Sequence, residues 1–191
     1  MFIKAGANMA LKWKKDYKDD NWIYINNPGN SARYVLGVKG KHPLIVFGIN
    51  PSTASDKEPD ATLVRVEKLA EKKLYDSWIM LNLYPFRDKN VKKLKNYDNT
   101  LHTENLKQIG EILDQYPDSQ IIAAWGNIEN KLVSSIKQDI KNCLKDINDV
   151  IEKKGRKWLA LKDDGFPVHF LYTGSGFKLY EVDFVNYKPS C

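Results

Sequence analysis

The sequence predicts an α/β protein, a three-layer α/β/α sandwich around a mostly parallel four-stranded core sheet. Three observations carry that expectation. Apolar runs at residues 44–47, 77–83, 120–124 and 157–161 are bounded by turn residues, as strands buried on both faces of a parallel sheet are. Apolar residues at helical spacing fill the intervals between them. The connection between the first two runs has the length and make-up of a βαβ crossover, whose strands are parallel.

The elements follow in order. Residues 1–21 read as an irregular N-terminal extension, and 22–191 as a single α/β domain. Residues 22–25 and 33–38 form two short strands joined by the turn residues 26–30, a hairpin. The organising strand, 44–47, stops at Gly48. Asp60 caps the first helix, in which Leu63, Val66, Leu69, Ala70 and Leu74 make one stripe. The second buried strand, 77–83, leads to a loop at 84–90. Leu106, Ile109, Leu113 and Tyr116 mark a second helix, and residues 120–124 the third strand. Ile128, Leu132, Ile136 and Ile140 predict one further helix, then a charged stretch, a fourth strand at 157–161 and a loop at 163–169. The aromatic-rich tail is expected to form a terminal hairpin.

With 42% hydrophobic and 12% aromatic residues, the chain has material for an ordinary core. Its net charge of +6 makes nucleic acid a candidate partner. The lysines are dispersed, however, and solvated helix faces account for many of them. Cys143 and Cys191 form neither a disulfide framework nor a zinc pattern. No segment approaches the ~18 apolar residues of a membrane span, and no secretory leader is visible, so a cytoplasmic protein is expected.

Open α/β sheets bind ligands where strands end, because the chain leaves the core there and polar groups converge. Four such ends would share one edge here. They carry Asn50, Pro51, Ser52 and Thr53; Asn82 with Tyr84, Phe86 and Arg87; Trp125 and Gly126; and His169.

Several strings resemble a bacterial and phage family named domain of unknown function 1643. They are Arg33-Tyr34, Asn50-Pro51-Ser52-Thr53-Ala54, Asp60-Ala61-Thr62, Asn82-Leu83-Tyr84-Pro85-Phe86-Arg87, Trp125-Gly126 and Asp164-Gly165-Phe166-Pro167-Val168-His169. The resemblance spans roughly residues 33–172. It departs at Phe170 and Ala61, where the family usually has proline. It implies a fold and no activity.

A second resemblance implies an activity. The layout is similar to that of the uracil-DNA glycosylase superfamily. Gly48-Ile49-Asn50-Pro51 looks like the turn after its first core strand. Residues 79–83, ending in Asn82 and followed by Arg87, look like its base-reading strand. Residues 121–127, with Lys131 beyond them, look like its Leu-Trp-Gly segment, and His169 falls where its late histidine loop comes.

That resemblance implies cofactor-independent hydrolysis of an N-glycosidic bond, with nucleic acid (DNA in preference to RNA) or a nucleotide as partner. Such a site orients a water, holds an anionic leaving base and stacks on its ring. Asn50 and His169 are the implied catalytic residues: Asn50 places the water and His169 donates to a carbonyl oxygen of the base. Asn82 offers donor and acceptor to the base edge. Ser52 and Arg87 hold phosphate, Tyr84 or Phe86 stacks, and Gly126 admits a close backbone approach.

Each residue has a structural alternative. Asn50-Pro51 also suits a tight turn, Asn82 a satisfied buried amide, Trp125 the core, Arg87 an ion pair and Lys131 a solvated face. Two rival functions stand beside the glycosylase: a non-catalytic reader of a modified base or nucleotide, and a hydrolase or transferase on a small nucleotide. No His-Glu-x-x-His, zinc cluster or Gly-x-Ser-x-Gly elbow is present, and no metal is expected, although Asp56, Glu58 and Asp60 lie near the same edge.

Overall fold

The computed structural model describes residues 12–13, 15, 17–90, 94, 97–163, 165–171 and 179–190. Its strands are β1 (Trp22–Asn26), β2 (Arg33–Val38), β3 (Pro43–Gly48), β4 (Ser77–Asn82), β5 (Ile121–Ala123), β6 (Trp158–Ala160), β7 (Lys162–Asp163), β8 (Phe166–Pro167) and β9 (Val185–Tyr187). Its helices are α1 (Ala61–Lys72), α2 (Asn99–Gln115), α3 (Ile128–Lys131) and α4 (Ser134–Lys153).

The sheet is larger than the sequence predicts: seven strands, mixed, in the order β1-β2-β4-β3-β5-β6-β9. β3 pairs in parallel with β4 and β5, and β5 with β6. β1, β2 and β9 join by antiparallel pairings. The register aligns Gly48 with Asn82 and Phe47 with Ala123, so the ends of β4, β3 and β5 lie level.

Alternation along the strands builds the core on both faces, because successive side chains point to opposite sides. Ile45, Phe47, Ile79 and Leu81 pack into one cluster with Ile109, Leu113, Ile136 and Ile140 of α2 and α4. Leu44, Val46, Trp78 and Met80 pack into the other with Leu63, Val66 and Leu69 of α1. Asn82 shares the parity of Trp78 and Met80, which places it on the α1 face.

Asp60 caps α1, its carboxylate accepting from the Thr62 and Leu63 amides at 3.0 Å each, two donors that a helix start otherwise leaves unpaired.

Three expectations are corrected. The single helix from Ile128 to Ile140 is two, since Leu132 and Val133 are extended (ψ 146° and 152°) and break it. The charged stretch beyond belongs to α4, whose Cys143, Leu144, Ile147 and Ile151 continue the buried stripe. Among the described residues the tail contributes one strand, β9, which pairs with β6 rather than with a second tail strand. Residues 173–176, within the tail expected to form the terminal hairpin, lie outside the described residues.

From the N-terminal extension, the Trp13 ring stacks 5.3 Å from that of Trp78, and the Tyr17 hydroxyl bonds Glu67 of α1 at 2.8 Å. No helix among the described residues is long and apolar enough to cross a membrane.

Candidate functional site

A cleft of about 500 Å³ opens beyond the ends of β3 and β4, beside the N-terminus of α1. Asn50, Ser52, Asn82 and His169 line it together with Arg33, Asp60, Asp88, Lys89, Asn130 and Lys131. Gly48 lies at its floor, where an added Cβ would stand 2.7 Å from Met80 Cε and 3.1 Å from Asn82 Oδ1. A side chain there would press on the Asn82 amide.

Asn82 is 1% exposed, and neither its Nδ2 nor its Oδ1 has a hydrogen-bond partner among the described residues. Buried polar groups are nearly always paired, and an unpaired one costs about 1–3 kcal/mol. Its backbone is well held, because the carbonyl accepts from Asn105 Nδ2 at 3.0 Å. Asn82 therefore brings a donor and an acceptor to the cleft lining, and no described residue pairs with either.

Asn50 has a different standing. Its Nδ2 donates to the carbonyls of Pro51 (3.0 Å), Phe86 (3.3 Å) and Asp88 (2.9 Å). The amide thus ties the loop after β3 to the loop after β4. No described residue donates to Oδ1, so the acceptor end is what Asn50 offers a water or ligand.

His169 accepts the backbone N–H of Leu171 on Nδ1 at 3.1 Å. An amide can only donate, so the neutral ring carries its proton on Nε2. Burial first, then Lys131 and Arg65, lower its pKa from 6.5 to about 4. His169 is therefore a neutral donor at pH 7. The folded state binds fewer protons than the unfolded one between these two values, so this residue's contribution to stability is full above 6.5 and lost as pH falls toward 4. A proton NMR titration of His169 is expected to show no midpoint above pH 5; one near 6.5 would contradict this.

Arg33 and Lys131, neither of them expected as a site residue, also line the cleft. Arg33 is 2% exposed and donates to the Ala54 carbonyl at 2.6 Å, while its Nε has no partner among the described residues. Burial lowers its pKa to about 10, against the stabilising charge of Asp60. Lys131, expected on a solvated face, is instead largely buried, and donates to the Trp125 carbonyl at 3.2 Å. Burial lowers its pKa to about 8. An arginine in the otherwise apolar run Arg33-Tyr34-Val35-Leu36 was the available signal for the first. For Lys131 the signal was its place just beyond residues 121–127, the stretch that resembles the Leu-Trp-Gly segment.

The remaining expected residues are not gathered there. Tyr84 is fully buried, and its hydroxyl accepts the Asp98 amide at 2.8 Å. It follows Leu83 out of the sheet on the α2 side and is not placed to stack on a ligand. Trp125 is 1% exposed, its ring 5.0 Å from that of Trp158, and belongs to the core.

Arg87 lies outside this cleft, where it clamps loops and lines a second, shallower pocket of about 390 Å³ with Ser52, Thr53, Asp88 and Lys89. It donates to the carbonyls of Ser52 (3.1 Å), Thr53 (3.0 Å) and Ala54 (3.2 Å), and to the Tyr24 hydroxyl and Asn30 Oδ1 (2.7 Å each). Pro51 is buried and Phe86 and Thr53 are exposed, all outside the cleft lining. Gly126 adopts φ +73°, where an added Cβ would stand 3.0 Å from Lys131 Cε and 3.3 Å from His169 Cβ.

The family model described as "Protein of unknown function (DUF1643)" matches residues 33–171. That span holds every one of these cleft residues. No curated protein and no solved structure matches the chain.

Proposed function

We propose that this chain, which belongs to the DUF1643 family, recognises a nucleobase in the cleft between β3, β4 and α1 and hydrolyses its N-glycosidic bond without a cofactor. The observation that carries this reading is the buried Asn82 amide, whose donor and acceptor both have no partner among the described residues. A base edge presents the complementary acceptor and donor side by side, and two such bonds discriminate strongly between bases. The neutral His169 supports the chemistry, as a donor to the oxygen on which negative charge grows as the base departs. Asn50 Oδ1 is the acceptor that orients the attacking water. The uracil-DNA-glycosylase-like layout, and nucleic acid as the form in which the base arrives, with DNA ahead of RNA, are parts of the same proposal.

One observation favours the non-catalytic reader as a second reading. The Asn50 amide is committed to three carbonyls, and an amide oxygen is a weak base.

Base release decides between them. Oligonucleotides carrying uracil, hypoxanthine or 5-modified pyrimidines, single- and double-stranded, are incubated with wild type and Asn50→Ala. Abasic sites formed by wild type and reduced at least about 100-fold in the variant are expected of the enzyme, a loss of ~2.7 kcal/mol in transition-state stabilisation. Binding that weakens steeply with salt, is lost in Asn82→Ala and releases no base, would establish the reader instead.

A further inference from the structure

We infer that Lys131 is a nucleophile, and that the protein forms an imine between Lys131 Nζ and the aldehyde of a ring-opened sugar from which the base has been removed. The inference rests on the proposed reading of the cleft, because that reading supplies an aldehyde-bearing sugar as the product left beside Lys131.

Four observations place the amine for this role. Lys131 ends the one-turn helix α3 and lines the cleft together with Asn82 and His169. Its Nζ makes one hydrogen bond, to the Trp125 carbonyl, which accepts from either protonation state of the amine. None of the ion pairs among the described residues includes it, although Asp60 and Asp88 line the same cleft. The space it occupies exists because residue 126 is glycine: a Cβ there would stand 3.0 Å from Lys131 Cε and 3.3 Å from His169 Cβ. The glycine therefore brings the lysine stem and the histidine together.

Burial lowers the pKa of this amine to about 8, which leaves about a tenth of it neutral at pH 7, far more than in an ordinary lysine. Desolvated lysines with that property are the ones that form Schiff bases. Burial is the cause of that shift; the charged groups lining the same cleft are Arg33, Asp60, Asp88 and Lys89.

The step balances without an oxidant. The Nζ lone pair adds to the aldehyde carbon and forms a C–N bond. The former carbonyl oxygen then departs as water with the two amine protons, leaving a C=N bond. Borohydride, added as an external reductant, delivers hydride to that carbon and makes the link permanent.

The test uses the full chain, an oligonucleotide with a preformed abasic site, and sodium borohydride. A covalent protein–DNA adduct is expected on a denaturing gel, with the modified peptide carrying Lys131. Lys131→Met and Lys131→Arg should each lower its yield at least tenfold. No adduct, an adduct undiminished in either folded variant, or a modified peptide elsewhere in the chain would overturn the inference. Should Lys131→Met fail to fold, Lys131→Arg and the peptide identified in wild type decide. Because the abasic site is made beforehand, this result is independent of base release. Release without trapping refutes the nucleophile alone, and trapping without release refutes the hydrolase alone.

Discussion

Replacing Asn82 with leucine is expected to stabilise the protein and abolish recognition in one step. The wild-type amide lies 1% exposed with neither polar end paired among the described residues, a burden of about 1–3 kcal/mol that a side chain of similar shape without polar atoms removes. At about 2–4 °C per kcal/mol for a chain of this size, the unfolding midpoint should rise by several degrees. Affinity for the responsive oligonucleotide, or kcat/KM for base release from it, should fall at least about 100-fold, since two hydrogen bonds to the base edge vanish together. Calorimetry and a binding titration on the same preparation read both effects. A variant that is less stable and binds unchanged would show that Asn82 is a core residue and not a recognition group. The opposed signs distinguish this from ordinary core damage, in which stability and function fall together.

Arg87→Lys is expected to do the reverse, losing stability and site geometry alike. The guanidinium fork satisfies the carbonyls of residues 52, 53 and 54 on one side and reaches Tyr24 and Asn30 on the other. Lysine brings one nitrogen and cannot span that set. Losing several hydrogen bonds to a charged group should cost about 2–4 kcal/mol. The effect should also be local. The Asp88 amide, which donates to the Pro51 carbonyl at 3.0 Å, should lose its protection against hydrogen exchange before the amides of β3 do. Activity should fall at least tenfold, because Ser52 and Asn50 ride on the loop that Arg87 holds. If Arg87→Lys keeps its stability and its exchange pattern but loses salt-sensitive binding, the residue contacts phosphate after all.

The two substitutions mark a division that recurs through the site. Asn82 and Arg33 carry buried atoms at the cleft that no described residue pairs; Arg87 and the Nδ2 group of Asn50 hold loops. Sequence type does not separate them: asparagine and arginine occur in both roles. Stability measured alongside function does.

The order of strands and helices was legible because its signals are local. Strand periodicity, the stripe of α1, the Asp60 cap and the stop at Gly48 are each set by a few neighbouring residues. The placement of Asn50, Ser52, Asn82 and His169 at a shared edge followed from the same alternation of strands and helices, since parallel strands must end on one side. The break at Leu132 and the continuation of α4 through its charged stretch were not legible. Both depend on which turns of the helix find a partner surface, and an amphipathic pattern does not say where that surface ends.

Which side chains meet was decided by tertiary structure alone. Tyr84 lies two residues beyond Asn82 yet is buried with its hydroxyl on Asp98, because the α2 and α4 side of the sheet takes it up. Lys131, remote in sequence from both, reaches the cleft because Gly126 leaves it room and α3 turns it inward. Arg33 becomes a cleft residue only because β2 pairs with β4 and lies next to the loop after β3. Residue types and periodicity are properties of the chain near each position. Burial, pairing and the pKa values that follow from them belong to the environment that the whole fold builds around it.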